Sequence, residues 1–311
     1  MVVVSRMATP PLGARGLLKR IKLRNIIYLT DFSRSSDAAL PFVKSIAQAF
    51  EARIQVLHIL LPDVLFYISS ESPALALAQL GQAAVAKMNA VQTQLAGTPH
   101  EGMVQPADDL WTALAPKLEE NEANMVVLGT HGRTGLRKFV MGSTAEKVLR
   151  KIKVPVLTVG PAASASTPAE RFRRILLATD LRRNSDDATA YAISLAQENE
   201  AELIFLHVIE RGGKRKGRSD GALSVAEALH HLRNEIPADA GLWCRPHTLV
   251  EMGPAGQQIV RTAKQRKADL VVIGIRETKN VFASTHLEIR TAHEVIAHAP
   301  CPVLCVPART L

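Results

Sequence analysis

Residues 26–58 read IIYLTDFSRSSDAALPFVKSIAQAFEARIQVLH, and residues 175–207 read ILLATDLRRNSDDATAYAISLAQENEAELIFLH. Set one above the other, the two stretches align at a constant offset of 149 without a gap, and fourteen of the thirty-three positions carry the same residue. Thr30/Thr179, Asp31/Asp180, Ser36/Ser185, Asp37/Asp186, Gln48/Gln197 and His58/His207 are among the pairs. The correspondence continues downstream, where MVVLG (125–129) matches LVVIG (270–274) and AEKVLRKIKVPVLTV (145–159) matches AHEVIAHAPCPVLCV (292–306). Self-similarity on this scale marks a duplicated folding unit. On this basis the chain divides into a basic extension (1–24), a first domain (25–160), a linker (161–172) and a second domain (173–311). The linker falls in GPAASASTPAE (160–170), rich in Pro, Ala and Ser.

Within each repeat, short β-branched apolar runs alternate with segments of helical period. Ile26–Thr30 and Ile54–Leu60 read as buried strands, Met125–Leu128 as a strong one, Val154–Val159 as the last, and residues near His100–Val104 as a weak one. From Ser36 to Phe50, Ala39, Leu40, Val43, Ile46, Ala47 and Phe50 fall on one helical stripe behind the capping residues Ser35, Ser36 and Asp37. Leu77, Leu80, Ala84, Met88, Val91 and Leu95 mark an amphipathic helix; Leu110, Leu114 and Leu118 mark another, and Ser143–Arg150 a third. Strictly apolar strands between helices predict a parallel sheet covered on both faces. The expected fold is therefore α/β: two tandem doubly wound domains, each a Rossmann-like sheet of about five strands.

Bulk properties are compatible with this. At 311 residues the chain has the length of two ordinary domains, and 47% apolar residues suffice for two cores. No run reaches the ~20 apolar residues of a membrane helix, and the apolar start of MVVVSRMATPPLGARG is too short for a secretory signal. A soluble cytoplasmic protein is expected. Three cysteines, Cys244, Cys301 and Cys305, argue against a disulfide framework. The net charge of +9 favours an anionic partner, although much of it sits in two clusters, Arg15–Arg24 and Arg211–Arg218. Neither cluster has interleaved aromatics, so nucleic acid is the weaker choice of partner, and the clusters read as a solvated tail and loop.

The chemistry concentrates after the fourth strand, in GTHGRTGLRKFVMGSTAEKVLR from Gly129 onward. Ligands of such sheets lie beyond the carboxyl ends of strands where strand order reverses, and Thr30-Asp31 and Gly129 mark two such ends. Gly129 and Gly132 permit close backbone approach or positive φ. Gly142-Ser143-Thr144 precedes a helix, where backbone N–H groups, the helix dipole and two hydroxyls suit a phosphate. Arg133, Arg137 and Lys138 can screen its charge, and the Asp31 carboxylate can accept hydrogen bonds from an adenine or a ribose.

In this loop the chain resembles the universal stress protein family, whose ATP-binding members carry Gly, two residues, Gly, nine residues, then Gly followed by Ser or Thr. Gly129, Gly132 and Gly142-Ser143 match that pattern. The TD after the first strand, the LH closing the second and the PVL of the last are also similar to the family, and the resemblance runs through both repeats. It implies a fold like that of the adenine nucleotide alpha-hydrolases and a bound ATP, alone or with Mg²⁺. It further implies that Asp31 and Ile59 contact the adenosine part, and that Gly129, Gly132, Gly142, Ser143 and Thr144 hold ribose and phosphates. His131 and Arg133 lie inside the same loop.

The second repeat keeps Asp180, Val208 and Gly274 but departs in the loop, which reads GIRETKNVFASTHLEIRTAHEVI. Glu277 stands for the second glycine and Ile289-Arg290-Thr291 for Gly-Ser-Thr, with two extra residues between. Weak or no ATP binding is expected there. No pair among the histidines and cysteines of this half has zinc-ligand spacing, so no metal site is assigned. His58 and His207 read as hydrogen-bonded structural residues. No Walker lysine, paired-carboxylate Mg²⁺ site or general base accompanies the loop, so no catalytic residue is assigned and any ATP hydrolysis is expected to be slow. The expected function is nucleotide-dependent regulation of a stress response through an unidentified protein partner. The alternatives are a slow ATPase or autokinase using Ser143 or Thr144, and a nucleotide-free or nucleic-acid-binding scaffold. In the scaffold reading Val154–Val159 and Pro302–Val306 pair edge to edge within one chain, with a homodimer also open.

Overall fold

The computed structural model describes residues 3–5, 21–61, 73–130, 142–164, 171–181, 186–210, 223–238, 240, 244–275 and 286–308. The chain forms two compact units, one of residues 22–159 and one of residues 160–311 together with 1–21. The first strand, β1 (Val3–Ser5), belongs to the latter.

The unit of residues 22–159 runs β2 (Asn25–Leu29), α1 (Arg34–Asp37), α2 (Leu40–Phe50), β3 (Arg53–Leu60), α3 (Pro73–Gln94), β4 (His100–Pro106), α4 (Leu110–Glu120), β5 (Met125–Gly129), α5 (Ser143–Lys151) and β6 (Val156–Val159). Its strands lie in the order β6-β5-β2-β3-β4, and every neighbouring pair is parallel. Consecutive residues Ile26, Ile27 and Tyr28 are all fully buried, which requires cover on both faces of the sheet. The sequence predicts a single helix from Ser36 to Phe50, but the structure divides it. A short turn, α1, is capped by Ser33 and ends at Ala38, and α2 starts again with Pro41 in its first turn. A proline in mid-helix lacks the N–H for the ladder and its ring collides with the carbonyl four residues back, here that of Asp37, so one helix cannot run through.

The other unit continues with α6 (Pro161–Ser164), β7 (Arg174–Ala178), α7 (Asp186–Asn199), β8 (Glu202–Ile209), α8 (Val225–Glu235), β9 (Arg245–Met252), α9 (Ala255–Arg266), β10 (Leu270–Ile275), α10 (His286–His298) and β11 (Val303–Pro307). Five parallel strands are ordered β11-β10-β7-β8-β9, the same order as in the first unit. Outside β9 lies β1, antiparallel, with Val3 opposite Val250 and Ser5 opposite Thr248. The expected pair of doubly wound α/β units is thus present, one of them carrying an additional edge strand.

The duplication extends to the backbone itself. Among the described residues, six non-glycine residues have positive φ, and they form three equivalent pairs: Phe32 and Leu181, Glu51 and Glu200, Glu122 and Lys267. The strand entrances are clamped alike. Asn124 Oδ1 accepts from the N–H groups of Arg24 and Asn25, and Asp269 Oδ2 accepts from those of Arg173 and Arg174.

Candidate functional site

In the first unit the strand order reverses between β2 and β5, so the crevice of this fold opens past Leu29 and Gly129. The chain leaving β2 makes a tight knot there. Ser36 Oγ donates to Asp31 Oδ1 at 2.6 Å, and the Ser33 N–H donates to the same oxygen at 2.9 Å. Ser33 Oγ in turn accepts from the Ser36 N–H at 3.3 Å, capping α1. Asp31 is half-buried, and these bonds fix its carboxylate at the mouth of the crevice. Asp37, one residue past Ser36, is exposed overall, yet desolvation of its inward part lifts its carboxyl above the ordinary value. Asp31 adds to that lift and Lys87 opposes it.

Below the knot, Thr30 is buried and its carbonyl lies 2.7 Å from His58 Nδ1. Phe32 is held at φ 57° with its N–H donating to Thr30 Oγ1 at 3.0 Å. Its ring sits on His58, centroids 4.3 Å apart, with Lys87 Nζ 6.0 Å from the ring centre. A bulky side chain in the left-handed region is strained, and such residues gather at functional sites.

On the β5 side, Gly129 contacts the same knot. A Cβ added there would fall 2.6 Å from the carbonyl carbon and oxygen of Ser35 and 2.8 Å from the Ser36 nitrogen. Thr130 follows, buried, and its carbonyl accepts from the Gly142 N–H at 2.8 Å. This bond brings the start of α5 to the end of β5. Gly142 is the N-cap of α5 with φ −62° and ψ 149°, an extended conformation open to any residue. As N-cap, Gly142 has no side chain to offer the first N–H groups of α5, where the positive end of the helix dipole lies.

The structure therefore brings Asp31, Gly129 and Gly142 together around one strand-order reversal, with Ser143 and the exposed Thr144 in the first turn of α5. Ile59 is half-buried on β3, opposite Gln105 of β4. His131, Gly132, Arg133, Arg137 and Lys138 lie outside the described residues, as does the basic stretch Arg211–Arg218. Sequence reasoning missed the fixing of Asp31 by Ser33 and Ser36 and the stack of Phe32 on His58. The identity of Ser36 with Ser185 in the repeat was the available signal for the first. For the second there was only the THR-ASP-PHE context of a strand end.

The same place in the second unit is built differently. Thr179 and His207 repeat the Thr30–His58 bond at 2.9 Å, and Leu181, at φ 60°, repeats the turn without an aromatic ring. Burial lowers the His207 pKa, opposed by the Thr179 carbonyl and by Asp180. Among the described residues, a Cβ on Gly274 would meet Ala188 Cβ, at 3.9 Å. Arg290 and Thr291, which align with Ser143 and Thr144, lie a full turn inside α10. Their N–H groups belong to the helical ladder rather than to a free helix start. Glu277 lies outside the described residues.

Among the described residues no three His, Cys, Asp or Glu side chains gather to hold a metal ion. Nor is any described helix long and apolar enough to cross a membrane. Cys301 and Cys305 are buried, which pushes both thiols up to about 12.

Against known proteins, the sequence model of the universal stress protein family matches this chain twice, over residues 22–160 and 171–307. A universal stress protein of Mycolicibacterium smegmatis is 25% identical over 261 residues, covering 80% of this chain and 86% of its own. A shorter one from Thermus aquaticus is 33% identical over 139 residues, covering 43% of this chain and 98% of its own. The crystal structure of a universal stress protein from Archaeoglobus fulgidus is similar in fold, with a TM-score of 0.70 at 19% identity over 92% of this chain and 98% of that one.

Proposed function

From a chain that belongs to the universal stress protein family in both of its halves, we propose that the first unit binds ATP and that the nucleotide-bound conformation is what the protein contributes to a stress response. The observation that carries this reading is the start of α5. Its N-cap is a glycine with no side chain to offer the first N–H groups, it is tied to the end of β5 through Gly142 and Thr130, and it stands at the strand-order reversal that Asp31 also borders. Phosphate suits such a helix start because the N–H groups and the dipole both favour negative charge. Ser143 and Thr144 add hydroxyls, Gly129 and Gly132 complete the loop, and Arg133 and His131 stand within it. Asp31, held by Ser33 and Ser36, accepts hydrogen bonds from the adenosine part, with Ile59 as an apolar neighbour. Mg²⁺, where it accompanies ATP, would be carried by the phosphates.

The second unit lacks the helix start and serves another purpose. ATP binding biases a surface read by a protein partner in the cytoplasm, which requires that ATP bind one conformation more tightly than the other. Acid extraction of the purified protein, followed by chromatography, measures nucleotide per chain, and an ATP titration of the stripped protein measures affinity. Close to one ATP per chain is expected, lost in Gly142→Ile. The φ and ψ of Gly142 are open to a β-branched residue, so this variant is expected to fold, which its melting temperature checks. Two ATP per chain would restore the second unit as a site, and no binding at millimolar ATP would end the proposal.

A further inference from the structure

The two units diverge most at the opposite ends of their strands, away from the crevice. In the first unit Arg53 Nη2 donates to Glu101 Oε2 at 2.8 Å, and Gln55 Nε2 donates to Glu101 Oε1 at 3.1 Å. Asn121 Nδ2 donates to Gln55 Oε1 at 2.9 Å. Donors and acceptors thus satisfy one another along a chain of four residues. The cavity beside them is about 220 Å³, with Glu120 and Glu122 on its wall.

At the same positions of the second unit the charges are inverted. The repeat sets Glu202 in the place of Arg53 and Ile204 in the place of Gln55. His247 lies opposite Ile204 in the neighbouring strand, as Glu101 lies opposite Gln55. Arg266 takes the place of Asn121, each followed by a left-handed residue, Lys267 or Glu122. One contact survives with the carboxylate on the other strand, His247 Nε2 lying 3.3 Å from Glu202 Oε1. The amide bridge is gone, because Ile204 can neither donate nor accept. Arg245 and Arg266 have no carboxylate partner among the described residues. Together with Glu202, Ile204, His247 and Leu249 they line a cavity of about 510 Å³, more than twice the first unit's.

Two guanidinium groups against one carboxylate make this wall cationic, the His247 imidazole adds a polar ring, and Ile204 and Leu249 give it an apolar patch. Guanidinium forks match the paired oxygens of phosphate and carboxylate groups, and the volume falls within the ~300–1,000 Å³ of small-molecule sites. We infer that this cleft of the second unit is a binding site for a small oxyanion-bearing organic molecule, separate from the nucleotide crevice. The inference does not depend on ATP binding in the first unit.

Isothermal titration of the full chain with pyrophosphate and with citrate, at ionic strength fixed by sodium chloride, tests it. The proteins compared are the wild type, the double variant Arg245→Ala/Arg266→Asn, Arg266→Lys and Gly142→Ile. At least one probe is expected to bind with an affinity that falls tenfold or more in the double variant. It should fall less in Arg266→Lys, and it should be retained in Gly142→Ile, which alters only the first unit's loop. Tighter binding of pyrophosphate would identify a phosphate ligand and tighter binding of citrate a polycarboxylate. Equal affinity in wild type and double variant, with melting temperatures unchanged, would overturn the site. So would the absence of binding by either probe at millimolar concentration.

Discussion

The carbonyl oxygen of Ser35 lies so close to Gly129 that a Cβ at position 129 would stand 2.6 Å from it. Sequence alone suggests that this glycine lets a ligand approach the backbone. In the structure its bare Cα is met by the turn that carries Asp31 and Ser36, so it supports that turn from beneath. Gly129→Ala should therefore push that turn away and destabilise the protein by roughly 1–3 kcal/mol, the usual cost of overpacking. Urea unfolding of this variant beside the wild type measures the cost, and unchanged stability would refute the close contact.

Ser36 Oγ is the hub of the turn, donating to Asp31 Oδ1 at 2.6 Å and capped against Ser33. Ser36→Ala takes this bond from the carboxylate and keeps that of the Ser33 N–H. A stability loss of about 1 kcal/mol is expected, as for one hydrogen bond. ATP affinity should fall together with it, and Ser36→Thr should restore part of both. Urea unfolding and ATP titration of the three proteins check this. An unchanged ATP affinity in Ser36→Ala would separate the knot from nucleotide binding.

His207 supplies a pH signature confined to the second unit. Burial holds its pKa below the ordinary 6.5, the Thr179 carbonyl and Asp180 pulling the other way. The unfolded chain then takes up a proton that the folded one refuses. Stability is therefore unaffected by this group above pH 6.5 and declines as pH falls below it. The ring resonances of His207 should titrate with a midpoint below 6.5 in proton NMR, and His207→Gln should flatten the acid limb of a stability–pH curve. A midpoint at or above 6.5 would contradict the burial argument.

Much of the fold was legible because the repeat is long and its strands are uniformly apolar. Ile26–Tyr28 and Ile175–Leu177 are fully buried, as their β-branched and leucine-rich runs suggest. Asp31 and the Gly142 helix start were legible because strand ends and glycines punctuate the chain. Other features had no local signal. The split of the helix at Pro41 follows from a steric rule that the apolar stripe masks. Strand β1 is three residues long, VVS, and pairs with a strand far along the chain, so no periodicity announces it. The stripe of Met88, Val91 and Leu95 tells which face of α3 is buried but not that Lys87, beside it, reaches Phe32. The inverted charges at the amino ends of the strands emerge only when strand register pairs Gln55 with Glu101 and Ile204 with His247.

The three thiols give a last prediction. Cys301 stands before β11 and Cys305 within it, and burial pushes both up to about 12, with Asp269 adding to the effect at Cys301. Cys244 is buried ahead of β9. Only the thiolate reacts with a disulfide reagent, and at pH 8 a thiol with a pKa of about 12 is almost wholly protonated as well as out of reach. The folded protein should therefore show almost no reaction with dithionitrobenzoate at pH 8, and all three cysteines should react after unfolding in guanidinium. Reaction of the native protein as fast as of the unfolded one would mean that β11 opens readily. Slow reaction of Cys301 and Cys305 in step with global unfolding would place β11 in the most stable part of its unit, as a strand with all five residues buried should be.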